Sequence, residues 1–336
     1  MDKECLWQES LPEKKVRCLW CPRHCVLAPG QRGFCFGRMN REGKLVLSSY
    51  GKSTGFAVDP VEKKPLHQFL PGTSTLSFGT IGCNLGCLFC QNSHISRGSR
   101  MELLTEAGTP SRIAEGAFTY RCQSVSFTYN EPIVFSEYAM DAADFCHEKG
   151  LKTIAVTAGY IDPLPAKDFF SRMDAANVDL KGFSEDFYRK NCQAELKTVL
   201  DTLTLIKHET SVWLEITNLI IPTLNDNEEM IRSMCRWMVK ELGPEVPLHF
   251  SAFYPCYKMM NLPRTPLSTL KTAWKIAREE GLLYVYTGNV SWPEGEATEC
   301  PGCGKKVIIR SGYEVLELNL KGNECVYCGA KVAGVY

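Results

Sequence analysis

The sequence lacks any run of about 18 or more apolar residues, so it predicts no membrane-spanning helix. It also lacks net charge. Its 38 Lys and Arg balance 38 Asp and Glu, which leaves no long basic face for nucleic acid or an anionic membrane. The opening residues, MDKECLWQES, lack the basic and apolar regions of a secretory signal, and a cytoplasmic protein is expected. No Gly-x-Gly-x-x-Gly follows an apolar run, which argues against a doubly wound dinucleotide-binding sheet. Low-complexity tracts and fixed-period repeats are missing too. At 336 residues, the chain has room for about two or three domains and a sizeable core.

What the chain has in abundance is cysteine, 17 in all. In a secreted protein they would suggest disulfides; in a cytoplasmic one of this size they suggest metal. Eleven fall in three compact groups: Cys18, Cys21, Cys25 and Cys35; Cys83, Cys87 and Cys90; and Cys300, Cys303, Cys325 and Cys328. The other six, Cys5, Cys122, Cys146, Cys192, Cys235 and Cys256, read as buried small hydrophobes, the usual fate of a free cysteine.

Three zones follow: a Cys-rich N-terminal extension (1–73), a regular middle (74–292) and a Cys-rich tail (293–336). The middle alternates apolar runs at 74–82, 124–129, 152–159, 175–182, 211–222, 247–255 and 282–290 with amphipathic stretches. Several runs are near-continuous, as in parallel strands buried on both faces. Pro132 suits the start of a helix whose buried positions are read as Val134, Tyr138, Ala142 and Phe145, with Gly150 as its stop. Met230, Met234 and Met238 mark the inner face of a helix over 226–242, and Thr265-Pro266 opens another with Leu270, Trp274 and Ala277 inside. The expected fold is α/β: a partial (β/α) TIM-like barrel carrying small Cys-rich metal-binding extensions at both ends. Chemistry in such a barrel belongs at the C-terminal ends of the strands.

The stretch TIGCNLGCLFCQNS (80–93) follows the first strand, so Cys83, Cys87 and Cys90 belong at that end. Thiolates at these spacings suit an iron–sulfur cluster or a zinc ion. Three ligands are one short of the usual four. Either His94 completes a structural zinc site, or an iron corner stays open for a substrate or cofactor.

Cys-x3-Cys-x2-Cys after the first barrel strand, with an aromatic before the last cysteine, resembles the radical S-adenosylmethionine (SAM) superfamily. Further segments resemble one branch of it, the radical SAM enzyme of the AmmeMemoRadiSam system, related to pyruvate formate-lyase activating enzymes. They are RCLWCPRHC (17–25), GFC (33–35), AVDPVEKKPLHQFLPG (57–72), LSFGTIGCNLGCLFCQN (76–92) and CPGCGK (300–305). The resemblance implies a 4Fe–4S cluster on Cys83, Cys87 and Cys90 whose open iron is chelated by SAM. Reductive cleavage of SAM by an external electron donor would give a 5′-deoxyadenosyl radical, which abstracts hydrogen from a substrate, expected to be a protein or peptide. By the same resemblance Phe89 packs near the adenine, and Asn130 and Glu131 receive the SAM amino group, although a Gly-Gly pair expected beside them is absent. A residue like Glu131 can equally cap the next helix. Thr157, Asp179 and Lys181 are implied to contact the SAM ribose and carboxylate or a nearby cation; a local Asp–Lys pair is the alternative. Memo-type and AMMECR-type proteins are the implied partners. One departure is Ala252, where a basic residue is expected; Lys258 is the substitute the sequence offers.

Two Cys-x2-Cys knuckles in the tail predict a tetrahedral site on Cys300, Cys303, Cys325 and Cys328, for zinc or a single iron, with zinc favoured. Cys18, Cys21, Cys25 and Cys35 suit zinc or an auxiliary cluster equally, with His24 as an alternative ligand. The charge run Asp59–Pro65 reads from its chemistry as a solvated loop; the resemblance leaves equally open a segment that lines the barrel mouth or docks a partner protein, and no role is assigned to it. Two other functions compete with a radical SAM modifying enzyme: an activase of glycyl-radical enzymes, and a non-catalytic zinc-ribbon binding protein. The latter gains little from a tail whose net charge is weakly positive.

Overall fold

Seven of the apolar runs become parallel strands of one sheet in the computed structural model, which describes residues 2–97 and 101–336. They are β1 (Ser74–Phe78), β2 (Ser124–Phe127), β3 (Lys152–Thr157), β4 (Ala175–Asp179), β5 (Trp213–Ile220), β6 (Leu248–Ala252) and β7 (Val285–Gly288). They pair in sequence order, each parallel to its neighbours. Each connection carries a helix, in order Pro110–Thr119, Ser136–Glu148, Pro163–Phe170, Leu196–Glu209, Glu228–Glu241 and Leu267–Glu279. This is the βα repeat expected of a barrel wall.

The barrel is not closed. An eighth strand, Phe56–Pro60, pairs antiparallel with β1, and it and β7 form the two free edges. The division at residue 73 had put this strand outside the sheet. Its Asp and Pro read as loop, but Pro60 sits at a strand end on an edge, where its missing N–H costs no ladder bond.

Residues 61–72 run on through the barrel interior. Asn177 Nδ2 donates to the Pro65 carbonyl (2.7 Å), and the amides of His67 and Gln68 donate to the Glu215 carboxylate (3.0 and 2.8 Å). Polar residues therefore point inward from β4 and β5, because a buried backbone must find partners there. From the middle strand of the tail's small three-stranded sheet, Lys306–Ser311, Arg310 reaches back to the same segment. Its guanidinium donates to the carbonyls of His67 and Glu296 and to the Thr298 hydroxyl.

The helices bury the expected stripes with local corrections. Pro132 opens a 3-10 turn, Pro132–Phe135, rather than the helix itself. That helix buries Tyr138, Ala142 and Cys146, while Phe145 is exposed. In Glu228–Glu241 the stripe is Ile231, Met234, Cys235 and Met238, with Met230 at its margin. Asn227 caps this helix by accepting from the Glu229 and Met230 amides (3.0 and 3.2 Å). Leu270, Ala273, Ile276 and Ala277 are buried on Leu267–Glu279, and Trp274 is only partly so.

The N-terminal residues form two small antiparallel sheets, which pack on the Ser136–Glu148 helix through a buried polar knot. There Glu137 accepts from Trp20 Nε1 (2.8 Å) and Arg38 Nη2 (2.6 Å).

Candidate functional site

Leaving β1, the chain turns through a loop that its neighbours hold on three sides. Asn130, just beyond β2, accepts from the Thr80 amide (2.8 Å) and donates to the Thr80 hydroxyl (3.2 Å) and the Gly82 carbonyl (2.9 Å). Gly82 has φ +88°, and a Cβ there would lie 1.8 Å from the Cys35 carbonyl oxygen, so only glycine fits. From the other side, the Gly86 and Leu88 amides donate to the carbonyls of Cys192 (2.7 Å) and Asn191 (2.9 Å).

The loop so held presents Cys83, Cys87 and Cys90 to a cavity of about 770 Å³ at the C-terminal ends of the strands. Burial pushes the Cys83 and Cys90 thiols up, and the adjacent Cys192 thiol together with burial does the same to Cys87. In the absence of a cation the three stay protonated; a thiolate set here calls for a metal to offset its charge.

Phe89, Asn130, Glu131, Thr157, Asp179 and Lys181 line the same cavity. Phe89 packs against Phe187, ring centroids 6.1 Å apart. Glu131 is engaged locally: Oε1 accepts from the Thr157 hydroxyl (2.6 Å) and the Ile133 amide (3.1 Å), and Oε2 from the Ala158 amide (2.8 Å). It therefore caps the 3-10 turn, and Oε2 keeps acceptor capacity for one further donor. Burial raises its pKa against those donors. Both side-chain polar atoms of Asn130 are committed to the cysteine loop, so its amide group positions that loop. Lys181 Nζ donates to Asp179 (2.6 Å). Burial pulls the ammonium's pKa down, but the charge and hydrogen bond of Asp179 outweigh this and hold it up.

The charge run 59–65 is not a solvated loop. Asp59, Glu62 and Lys64 are buried, and Glu62, Lys63, Lys64 and Pro65 line the cavity. Asp59 accepts from Lys63 (2.8 Å), Lys64 (2.7 Å) and the Tyr129 hydroxyl (2.8 Å), so the charges cancel internally. Glu62 Oε2, His67 Nδ1 and Thr287 Oγ1, also on the cavity wall, are buried without a hydrogen-bond partner among the described residues. Burial holds the His67 imidazole well below its ordinary pKa, hence neutral. On β6 the residues facing the cavity are His249 and Ser251. Ala252 does not line it, and the exposed Lys258 ammonium lies over Tyr257 rather than on the cavity wall, while the Lys258 amide donates to the Leu88 carbonyl of the cysteine loop (3.1 Å). His94 is exposed and lines a different surface hollow with Thr54 and Phe56, so the fold does not gather it with the three thiols.

In the tail, the Cys300 and Cys328 sulfurs stand 3.6 Å apart and those of Cys303 and Cys325 3.9 Å. All four ligand atoms lie within 4.8 Å of one another. A tetrahedral ion with bonds of about 2.3 Å needs sulfurs about 3.8 Å apart, so this donor set fits one ion. Cys18, Cys21, Cys25 and Cys35 line a second, smaller cavity with Arg38 and Asn84. His24 Nε2 is instead paired with Asp162 (2.5 Å).

Cys192, read from the sequence as a buried hydrophobe, is the residue the motif search missed. It comes from a π-turn, Tyr188–Cys192, about 100 residues from the loop it braces, and no spacing rule connects the two. Cys256 is a smaller case: its thiol donates to the Phe89 carbonyl (3.3 Å).

Residues 78–238 match the Radical SAM superfamily. An uncharacterized protein of Methanocaldococcus jannaschii is 43% identical over 332 residues, 98% of each chain. The pyruvate formate-lyase-activating enzyme of Clostridium pasteurianum is 26% identical over 167 residues, covering 49% of this chain and 68% of that enzyme. Among solved structures, a radical SAM methyltransferase from Sphaerobacter thermophilus aligns with TM-score 0.52 at 16% identity, over 66% of this chain and 68% of that one. That last likeness concerns the fold alone. No helix among the described residues is long and apolar enough to cross a membrane.

Proposed function

The chain belongs to the radical SAM superfamily, whose members are enzymes, and from that premise we propose that it removes a hydrogen atom from a protein or peptide substrate bound in the strand-end cavity. The observation that carries this reading is the placing of three thiols from one loop on a roomy cavity of mixed polar and apolar lining at the strand ends. The family implies a 4Fe–4S cluster and SAM. The residues present fit both: three thiolates leave one iron corner open, and a carboxylate with spare acceptor capacity stands on the same wall. When bound, the cluster would supply the electron for reductive cleavage of SAM.

The chain's own residues supply position and charge. Cys83, Cys87 and Cys90 hold the cluster, on a loop fixed by Asn130 and by the backbone of Asn191 and Cys192. Glu131 Oε2 takes a hydrogen bond from the SAM ammonium, a charge-assisted contact in a buried setting. Asp179 receives a ribose hydroxyl, and Lys181 offsets negative charge beside the thiolates. Phe89 gives the adenine an apolar face. Glu62, His67 and Thr287 offer their free polar atoms to the substrate's polar groups.

The test is anaerobic purification, reduction in the presence of SAM, and measurement of 5′-deoxyadenosine. Its formation, and its loss when Cys83, Cys87 and Cys90 are replaced by Ala, is the expected result. Folded, anaerobically reconstituted protein that holds no iron refutes the reading. The identity to an activating enzyme favours one narrower version, activation of a glycyl-radical enzyme. A reproducible glycyl-radical partner in a pull-down would support that version.

A further inference from the structure

We propose that Cys18, Cys21, Cys25 and Cys35 hold a second iron–sulfur cluster, liganded by protein on every iron and lying directly behind the SAM-site loop. The sequence leaves zinc and a cluster equally open. The geometry of the thiols separates them.

A single tetrahedral ion draws its four sulfurs to about 3.8 Å from one another. A four-iron cubane sets each ligand sulfur on its own iron and so spreads them well beyond that spacing. The chain carries an example of the first kind: the tail quartet, with all four sulfurs within 4.8 Å. Among the described residues, neither the N-terminal quartet nor the Cys83–Cys87–Cys90 set is drawn in that way. The N-terminal quartet thus shares the wide arrangement of the loop that the family uses for a cluster.

The four thiols nevertheless line one common cavity, so the fold gathers them around a single space without drawing them onto one point.

A third observation concerns charge. Arg38 lines the cavity, is 2% exposed, and spends its two terminal nitrogens on the Ile133 carbonyl and Glu137. The same guanidinium also reaches the Cys5 thiol, and it stands as a buried cation on the wall of the four-thiol cavity. A cluster with four thiolate ligands is anionic, and a buried cation beside it lowers the cost of that charge.

The site adjoins the SAM-site loop through single residues. The Cys35 carbonyl packs on Gly82, next to Cys83, and Asn84 lines the quartet cavity from the following position. With all four irons taken by thiolates, this cluster has no open corner for substrate, in contrast to the three-thiolate site.

The experiment uses the full chain, produced anaerobically and analysed for iron and zinc and by Mössbauer spectroscopy. A variant with Cys83, Cys87 and Cys90 all changed to Ala reads the quartet by itself. It is expected to retain about four iron atoms as a cubane and about one zinc. A folded variant holding no iron overturns the proposal, whether it carries one zinc or two. The reciprocal variant, Cys21→Ser with Cys25→Ser, is expected to lose about four iron atoms while keeping an electron paramagnetic resonance signal that shifts on adding SAM. Full wild-type iron in that variant also overturns the proposal. Response to SAM reports only on Cys83, Cys87 and Cys90, so failure of the second cluster and failure of the proposed activity give different results.

Discussion

Arg38 donates to Glu137 across 2.6 Å where both side chains are almost wholly buried, and this contact anchors the N-terminal segment to the barrel. Breaking such a pair from one side leaves a buried charge uncompensated, at a cost of about 3–5 kcal/mol. Glu137→Ala also strands Trp20 Nε1. The variant is expected to lose stability by that amount in urea titration of the metal-loaded protein. Paired replacement, Arg38→Met with Glu137→Leu, should recover part of the loss; a double variant worse than the sum of the singles would contradict this account.

Glu131 has both a capping and a proposed ligand-holding part, and the two separate by measurement. Glu131→Gln keeps the shape but removes the charge. The cap should cost about 1–3 kcal/mol, read as a fall in unfolding midpoint. The loss of a charge-assisted contact should also weaken SAM binding about tenfold, which is about 1.4 kcal/mol. Unchanged SAM affinity in a destabilised variant would leave Glu131 as a cap alone.

Cys192 stands beside Cys87 but is fully buried and does not line the cavity. It is therefore a brace rather than a fourth ligand on the SAM side. Cys192→Ser should keep the iron bound to Cys83, Cys87 and Cys90 and keep the spectroscopic response to SAM. Loss of that iron with the fold intact would make Cys192 a ligand.

Asp59 gives a pH signature. Burial pushes its carboxyl up, but Lys63, Lys64 and Tyr129 outweigh burial and hold it well below its ordinary value of 3.8. A carboxylate depressed by folding adds stability above its unfolded pKa, and that stability is lost as pH falls through the folded value. Wild type should thus exceed Asp59→Asn by about 3–5 kcal/mol at pH 7, because the variant leaves Lys64 buried and unpaired. The gap should narrow below about pH 4, measured as urea midpoints across a pH series. A gap constant down to the most acid point would show that Asp59 does not act through its charge.

Much of this architecture was legible as periodicity. The seven parallel strands fall within runs such as KTIAVTAG because strands covered on both faces need continuous apolar sequence. The edge strand FAVDP was not legible, since an edge tolerates the Pro and Asp that signal a loop. At the site, the cysteine loop announces itself because its ligands are neighbours in sequence. The burial of Asp59 and Lys64 did not, because a charge run whose members pair with one another looks the same on paper as one facing water. Asn130 stood out by its place after β2, yet its hydrogen bonds, and so its task of holding Thr80 and Gly82, exist only in three dimensions.

The floor of the cavity joins distant stretches of chain. Arg310 meets the His67 carbonyl across 243 positions, and Val335 exchanges backbone hydrogen bonds with Gln68 and Leu70 at 2.8 and 2.7 Å. Gly312 and Tyr313 supply part of the wall. During synthesis, then, the strands can assemble early while the chamber stays unsealed until residue 335 has left the ribosome. A nascent chain would show a folded sheet whose chamber still lacks its floor, and that floor would form only as a late event.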